Sequence, residues 1–171
     1  RTVADRDSLI RRLLPVYKYA HPGCRQNMTE RLEHLLGKHL PSKLMMTDEQ
    51  LLDLHRSGIE IGAHTVTHPI LRNLPTERAW EEILGSKRYL EGLLGSSVSM
   101  FAYPNGRAGA DYDEKNVEQA RSAGFCGAVS THPGVATPGS DFFQLPRFTP
   151  WDRTPARFCA RMGLNARRLA G

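Results

Sequence analysis

Two histidines four residues apart, His64 and His68, stand in the stretch GIEIGAHTVTHPIL (58–71), which is otherwise apolar and rich in threonine. Neutral imidazoles are common ligands for divalent transition metals, so the pair is a candidate metal site. With seven histidines in 171 residues, the spacing alone is a weak signal. Geometry sharpens it. In extended backbone, positions i and i+4 lie about 13 Å apart, whereas two nitrogens on one zinc ion each sit about 2.0–2.1 Å from it. A shared ion therefore requires the chain to curl after His64. Pro69 ends regular structure and biases His68 toward extended backbone, and Thr65 and Thr67 can hydrogen-bond inside such a turn. The competing reading makes one histidine a satisfied polar group at a strand end and leaves the other facing solvent.

The elements around the pair follow from hydrophobic period and punctuation. Leu9, Leu13 and Leu14, then Leu32, Leu35 and Leu36, give helical spacing over 7–20 and 29–40, with AHPGCRQN between them read as a loop. TDEQLLDLHRSG carries a capping box, Thr47 with Gln50, and a stop at Gly58. IEIGAH alternates as a strand, 76–95 is a long amphipathic helix, and 98–103 is a strand. A helix over 113–124, a strand over 125–131, a Pro- and Gly-rich loop over 132–153 broken by FFQLPRF, and a helix over 155–169 follow. Strands alternating with helices predict an α/β fold with a parallel sheet. In such folds chemistry gathers at the C-terminal ends of the strands. Those ends read GAHTVTHP, FAYPNGR and AVSTHPG, so they should share one face.

Composition removes other classes. The chain is 40% hydrophobic and 24% charged, which suits one globular domain with a real core. No stretch reaches the roughly 18 apolar residues of a membrane span. The net charge of +5 invites a nucleic-acid reading. The densest basic groups, Arg11-Arg12 and Arg161, Arg167 and Arg168, lie toward the ends without interleaved aromatics, so a solvated surface is expected and nucleic acid is not a partner. Cys24, Cys126 and Cys159 are odd in number and far apart, and reduced buried thiols are expected.

EIGAHTVTHPIL, followed by SKRYLEGLLG and FAYPNG, resembles the polysaccharide deacetylase family, metal-dependent enzymes that remove acetyl groups from carbohydrates. The likeness runs from Leu44 to Arg147. It implies a (β/α)7 barrel, here partial or deformed, with a helical lead-in at 1–43, a core at 44–153 and a C-terminal helix at 154–171. It implies a divalent metal, zinc above others, held by His64 and His68, and a polysaccharide or oligosaccharide substrate losing N-acetyl or O-acetyl groups. The family's third ligand and general base are aspartates of a Thr-Phe-Asp-Asp-Gly strand that this sequence lacks. Asp5 and Asp7 have no apolar strand before them and read as surface or helix-start residues. The expectation is that the first strand or strands, with both aspartates, lie before Arg1, and that activity depends on them. Residence in the cytoplasm or at the cell envelope stays open.

The resemblance also implies roles for the later motif. Pro104 and Gly106 match the family's Pro-Tyr-Gly, and Asn105 stands at the position whose backbone N–H serves as oxyanion donor; YPNG alone reads as a type I or II turn. Ala102 replaces the arginine that orients the base, and Arg147 in LPRF is a candidate substitute, with a plain surface arginine as the alternative. His132 in STHPG is a candidate general acid or a simple loop histidine. Tyr103, Pro104 and Trp151 are candidate substrate contacts, the two aromatic rings by stacking on sugars, or else by packing in the core. A rival function is a catalytically inactive homologue that binds carbohydrate or acts as a scaffold.

Overall fold

The computed structural model describes residues 2–37, 44–148 and 152–167. The chain divides into two compact units, Arg1–Thr47 and Asp48–Gly171.

The first unit is a helical pair, α1 (Val3–Tyr19) and α2 (Pro22–Leu36). Helix α1 begins earlier than its apolar period because Thr2 and Asp5 form a reciprocal capping box: Thr2 Oγ1 accepts from Asp5 N at 3.2 Å and Asp5 Oδ2 accepts from Thr2 N at 2.8 Å. Asp5 is thus a helix-start residue. The stretch expected as a loop, AHPGCRQN, is mostly helix. Pro22 starts α2 at its first turn, where the missing N–H has no intrahelical partner to lose. The Tyr17 hydroxyl donates to Met28 O at 3.0 Å and ties the two helices. No residue of α1 is buried.

The second unit carries the core. It comprises α3 (Asp48–Arg56), a 3₁₀ turn (Leu71–Asn73), α4 (Thr76–Leu94), β1 (Met100–Ala102), α5 (Glu114–Ser122), β2 (Gly127–Val129) and α6 (Pro155–Arg167). Gly58 closes α3 at φ +85°. Strands β1 and β2 pair in parallel, Phe101 opposite Ala128. A parallel bridge joins Ala63 to Phe101 and another joins Val129 to Leu145. Four chain segments therefore lie side by side in sequence order and point one way, with α4 and α5 in the first two crossovers. The IEIGAH strand is reduced to the Ala63 bridge, and FFQLPRF, the stretch that breaks the expected loop, contributes the fourth segment through Leu145.

The core is Leu71, Ala79, Ile83, Phe101, Tyr103, Tyr112, Val117, Ala120, Phe125, Ala128 and Phe143 with smaller neighbours. Helices α4 and α5 supply alanine and aliphatic side chains to it, and β1 with the loops around the strands supplies the aromatic ones. The three cysteines are free and exposed, so the expectation of buried thiols fails. Among the described residues no helix is long and apolar enough to cross a membrane.

Candidate metal and acyl-transfer site

All the polar residues singled out in the motifs leave the same, C-terminal, end of the parallel ladder. His64 follows Ala63, Asn105 follows β1, His132 follows β2 and Arg147 follows Leu145. Hydrogen bonds stitch these ends into a rim. Thr131 N donates to Gly106 O at 2.8 Å and Arg147 N to His132 O at 2.9 Å. Thr131 Oγ1 donates to Asn105 O at 2.6 Å.

The chain does curl after His64. Thr65 sits at φ +64° and His68 at φ +54°, a left-handed region that costs an L-residue, and above all a β-branched one, free energy. His68 N donates to Thr65 Oγ1 at 3.1 Å. The extended bias expected at His68 from the following proline is overridden by this local bond. The two imidazoles meet edge to face, with ring centroids 4.8 Å apart and planes at 75°. Two imidazoles sharing a tetrahedral ion with Zn–N near 2.0–2.1 Å place their centroids about 5 Å apart. His64 Nδ1 lies 2.6 Å from Ala102 O, so Nδ1 carries the proton and donates to the carbonyl. Its Nε2 lone pair is left for a ligand, the tautomer that an outer hydrogen bond fixes at metal sites. The pair fits a zinc-type ion as two of its ligands. Among the described residues no cluster of three His, Cys, Asp or Glu side chains that could hold a metal forms.

Solvent reaches His64, yet the surrounding walls desolvate it enough to hold its pKa below the ordinary imidazole value. The bond to Ala102 opposes that shift, while the positive charges of His68 and Arg147 add to it. Arg147 is thus within electrostatic reach of the pair. The neutral ring is the form a metal binds.

Asn105 sits at φ +59°, and Gly106 N donates across it to Pro104 O at 2.6 Å, the three-residue bond of a γ-turn and not the type I or II turn expected. Among the described residues the Asn105 backbone N–H donates to no acceptor. Gly106 follows at φ +71°, and a Cβ there would lie 2.8 Å from Thr131 N and 2.9 Å from Thr131 Cγ2. Two successive left-handed residues turn the chain sharply at the rim and keep the Asn105 amide on it.

Two expected substrate contacts are corrected. Tyr103 is 1% exposed, stacked on Tyr112 with centroids 3.9 Å apart, and its hydroxyl donates to Phe143 O at 2.9 Å. Pro104 is fully buried beside it. Neither side chain is open to a sugar; Tyr103 belongs to the core because strand alternation puts it on the same, inward face as Phe101. Trp151 lies outside the described residues. The His132 ring is exposed and, among the described residues, makes no hydrogen bond; its backbone is what joins the rim.

Sequence reasoning missed two buried carboxylates. Glu82 of α4 accepts three hydrogen bonds from the His64–His68 segment. Asp111, wholly buried, accepts from Arg107 N at 3.0 Å and shapes the loop after Gly106. In the sequence Glu82 is one glutamate of a Glu-Glu pair on an amphipathic helix; only the inward-facing period, with Ala79 and Ile83 beside it, singles it out.

The family model for polysaccharide deacetylases matches residues 26–128. The chain belongs to the polysaccharide deacetylase family. It is 27% identical over 131 residues to the YxkH protein of Bacillus subtilis, whose name places it among the polysaccharide deacetylases, an alignment covering 77% of this chain and 46% of that protein. Among solved structures, the Streptococcus pyogenes deacetylase PplD in complex with acetate superposes with a TM-score of 0.64 at 24% identity, over 70% of this chain and 51% of that one. The Bacillus cereus polysaccharide deacetylase BC0361 gives 0.60 at 26% identity, over 71% and 38%. The α/β fold is therefore that of the polysaccharide deacetylases, and the chain spans about half the length, or less, of these relatives.

Proposed function

We propose that the rim is the metal-binding half of a carbohydrate deacetylase centre, which hydrolyses N-acetyl or O-acetyl groups on a polysaccharide or oligosaccharide. The single observation that carries this is the edge-on pair His64 and His68, one ring locked by Ala102 O in the tautomer that leaves Nε2 free. We read the four-segment ladder as an arc of a (β/α) barrel. A divalent ion of the zinc type, held by His64 and His68, would supply Lewis acidity and a water of lowered pKa. The chain's own residues do the rest of the work visible at the rim. The Asn105 N–H, which donates to no acceptor among the described residues, is the candidate donor to the acyl oxygen as negative charge develops on it. Loss of one such donor typically costs about 10²–10³ in rate. Arg147 adds positive charge near His64, which favours the neutral form of that ring and attracts anionic groups. A carboxylate base and a third ligand complete the reaction's requirements, and activity depends on their being supplied. Where they are not, the same rim is a carbohydrate-binding scaffold, the reading favoured by the missing third ligand among the described residues.

Calorimetric titration of zinc into the chain tests the proposal, beside His64→Ala and His68→Ala. Binding that each substitution abolishes is the expected result. Equal heats from all three proteins would end the metal reading, and release of acetate from acetylated chitooligosaccharide separates the enzyme from the scaffold.

A further inference from the structure

Glu82 lies on α4, outside the histidine segment, and its side chain is buried, with the residue 6% exposed. Its Oε2 accepts from Val66 N and Thr67 N, both at 2.8 Å, and its Oε1 accepts from Thr67 Oγ1 at 2.7 Å. Val66 and Thr67 are the two residues between the left-handed Thr65 and His68. Helix and loop also touch nearby: a Cβ on Gly85 would come 3.3 Å from Val66 Cγ2. Backbone held in sparsely populated φ/ψ regions persists only where its surroundings over-determine it. Charge-assisted bonds from a carboxylate to backbone N–H groups are roughly twice as strong as neutral ones.

We propose that Glu82 is a positioning residue, which clamps the Val66–Thr67 backbone from α4 and thereby holds His64 and His68 facing one point. Its oxygens are occupied by donors of the loop, so it acts through the histidines and is not itself a ligand. The part of this inference that concerns metal affinity rests on the function proposed above; the clamping of the loop does not. Without the clamp, Thr65 and His68 relax toward negative φ and the two rings separate.

The test uses the whole chain with Glu82→Gln, which preserves volume but replaces the charge with an amide whose NH2 must meet either the N–H donors or Thr67 Oγ1, and Thr67→Val, which removes one of the three bonds. Amide exchange is followed by NMR and Co2+ binding by its visible absorption. In Glu82→Gln, exchange at Val66 and Thr67 should rise about tenfold or more while β1 and β2 keep their protection. Co2+ affinity should fall by about 10–100-fold, as for outer partners that orient a ligand. Thr67→Val should move both readouts the same way by less, and it carries the test should Glu82→Gln fail to fold. Parental exchange at Val66 and Thr67 in both variants would overturn the clamp. Should Co2+ bind the parent and His64→Ala equally while exchange still accelerates, the clamp stands and the metal reading falls.

Discussion

The loop from His64 to His68 and the loop from Tyr103 to Gly106 leave neighbouring parallel segments, the Ala63 bridge and β1, and both place non-glycine residues at positive φ. They are held by different means. The first has no glycine between its histidines and is fastened from outside by a buried carboxylate, Glu82, with Thr65 Oγ1 bracing His68 from within. The second is fastened through its own main-chain carbonyls: Gly106 presses on Thr131, whose N–H donates to Gly106 O and whose side-chain hydroxyl donates to Asn105 O. The loop that must present side chains is secured through a side chain on a helix. The loop that presents an N–H is secured through main chain. A side-chain anchor depends on one residue and can be removed by isosteric substitution, whereas the Thr131 N to Gly106 O bond of the second loop is broken by inserting bulk between the two backbones.

That difference ranks the effects of substitution. The largest is expected at Gly106. Gly106→Ala puts a Cβ 2.8 Å from Thr131 N at a φ of +71°, so two backbones must part as well as twist. A loss of about 3 kcal/mol in urea unfolding is expected, within the range of strain and overpacking combined. A loss below about 1 kcal/mol would mean that the rim yields easily and that the second loop is not main-chain anchored.

A smaller effect separates conformation from contact at the neighbouring position. Asn105 tolerates the left-handed region, glycine adopts it freely and alanine does not. Asn105→Ala should cost about 1 kcal/mol, and Asn105→Gly should be the more stable of the two variants. That order is the reverse of the usual advantage of alanine over glycine. Finding alanine equal or better would show that the turn reverts to negative φ without penalty.

The histidine pair and the turn after β1 were legible in the sequence because each is a local pattern: a spacing, a proline, an Asn-Gly. The need for a curl after His64 followed from distance alone. What was not legible depends on which face a residue occupies. Glu82 differs from Glu81 only by its inward direction on α4, and its partners are on a loop that sequence places elsewhere. Tyr103 was open to either role until its period-two relation to buried Phe101 was given a face by the β1–β2 pairing. The helical start at Pro22 was misjudged for a simpler reason, since Pro-Gly signals a turn and a helix N-terminus equally well.

The smallest effect concerns protons, and it couples the two loops, because the acceptor for His64 Nδ1–H is the carbonyl of Ala102 at the root of the second. Desolvation, with the charges of His68 and Arg147, keeps the folded-state pKa of His64 below the ordinary value of about 6.5. The unfolded chain therefore takes up this proton first as pH falls. The His64 contribution to stability is intact above about pH 6.5 and declines as pH drops through that value toward the folded pKa. NMR titration of the metal-free chain should place the His64 midpoint below that of an unfolded reference peptide. Arg147→Gln should move it upward, since one of the charges opposing protonation is gone. A midpoint at or above the reference would mean that the Ala102 carbonyl outweighs desolvation. The two loops would then be joined by a bond to imidazolium, and metal would have to displace a proton that the rim itself holds in place.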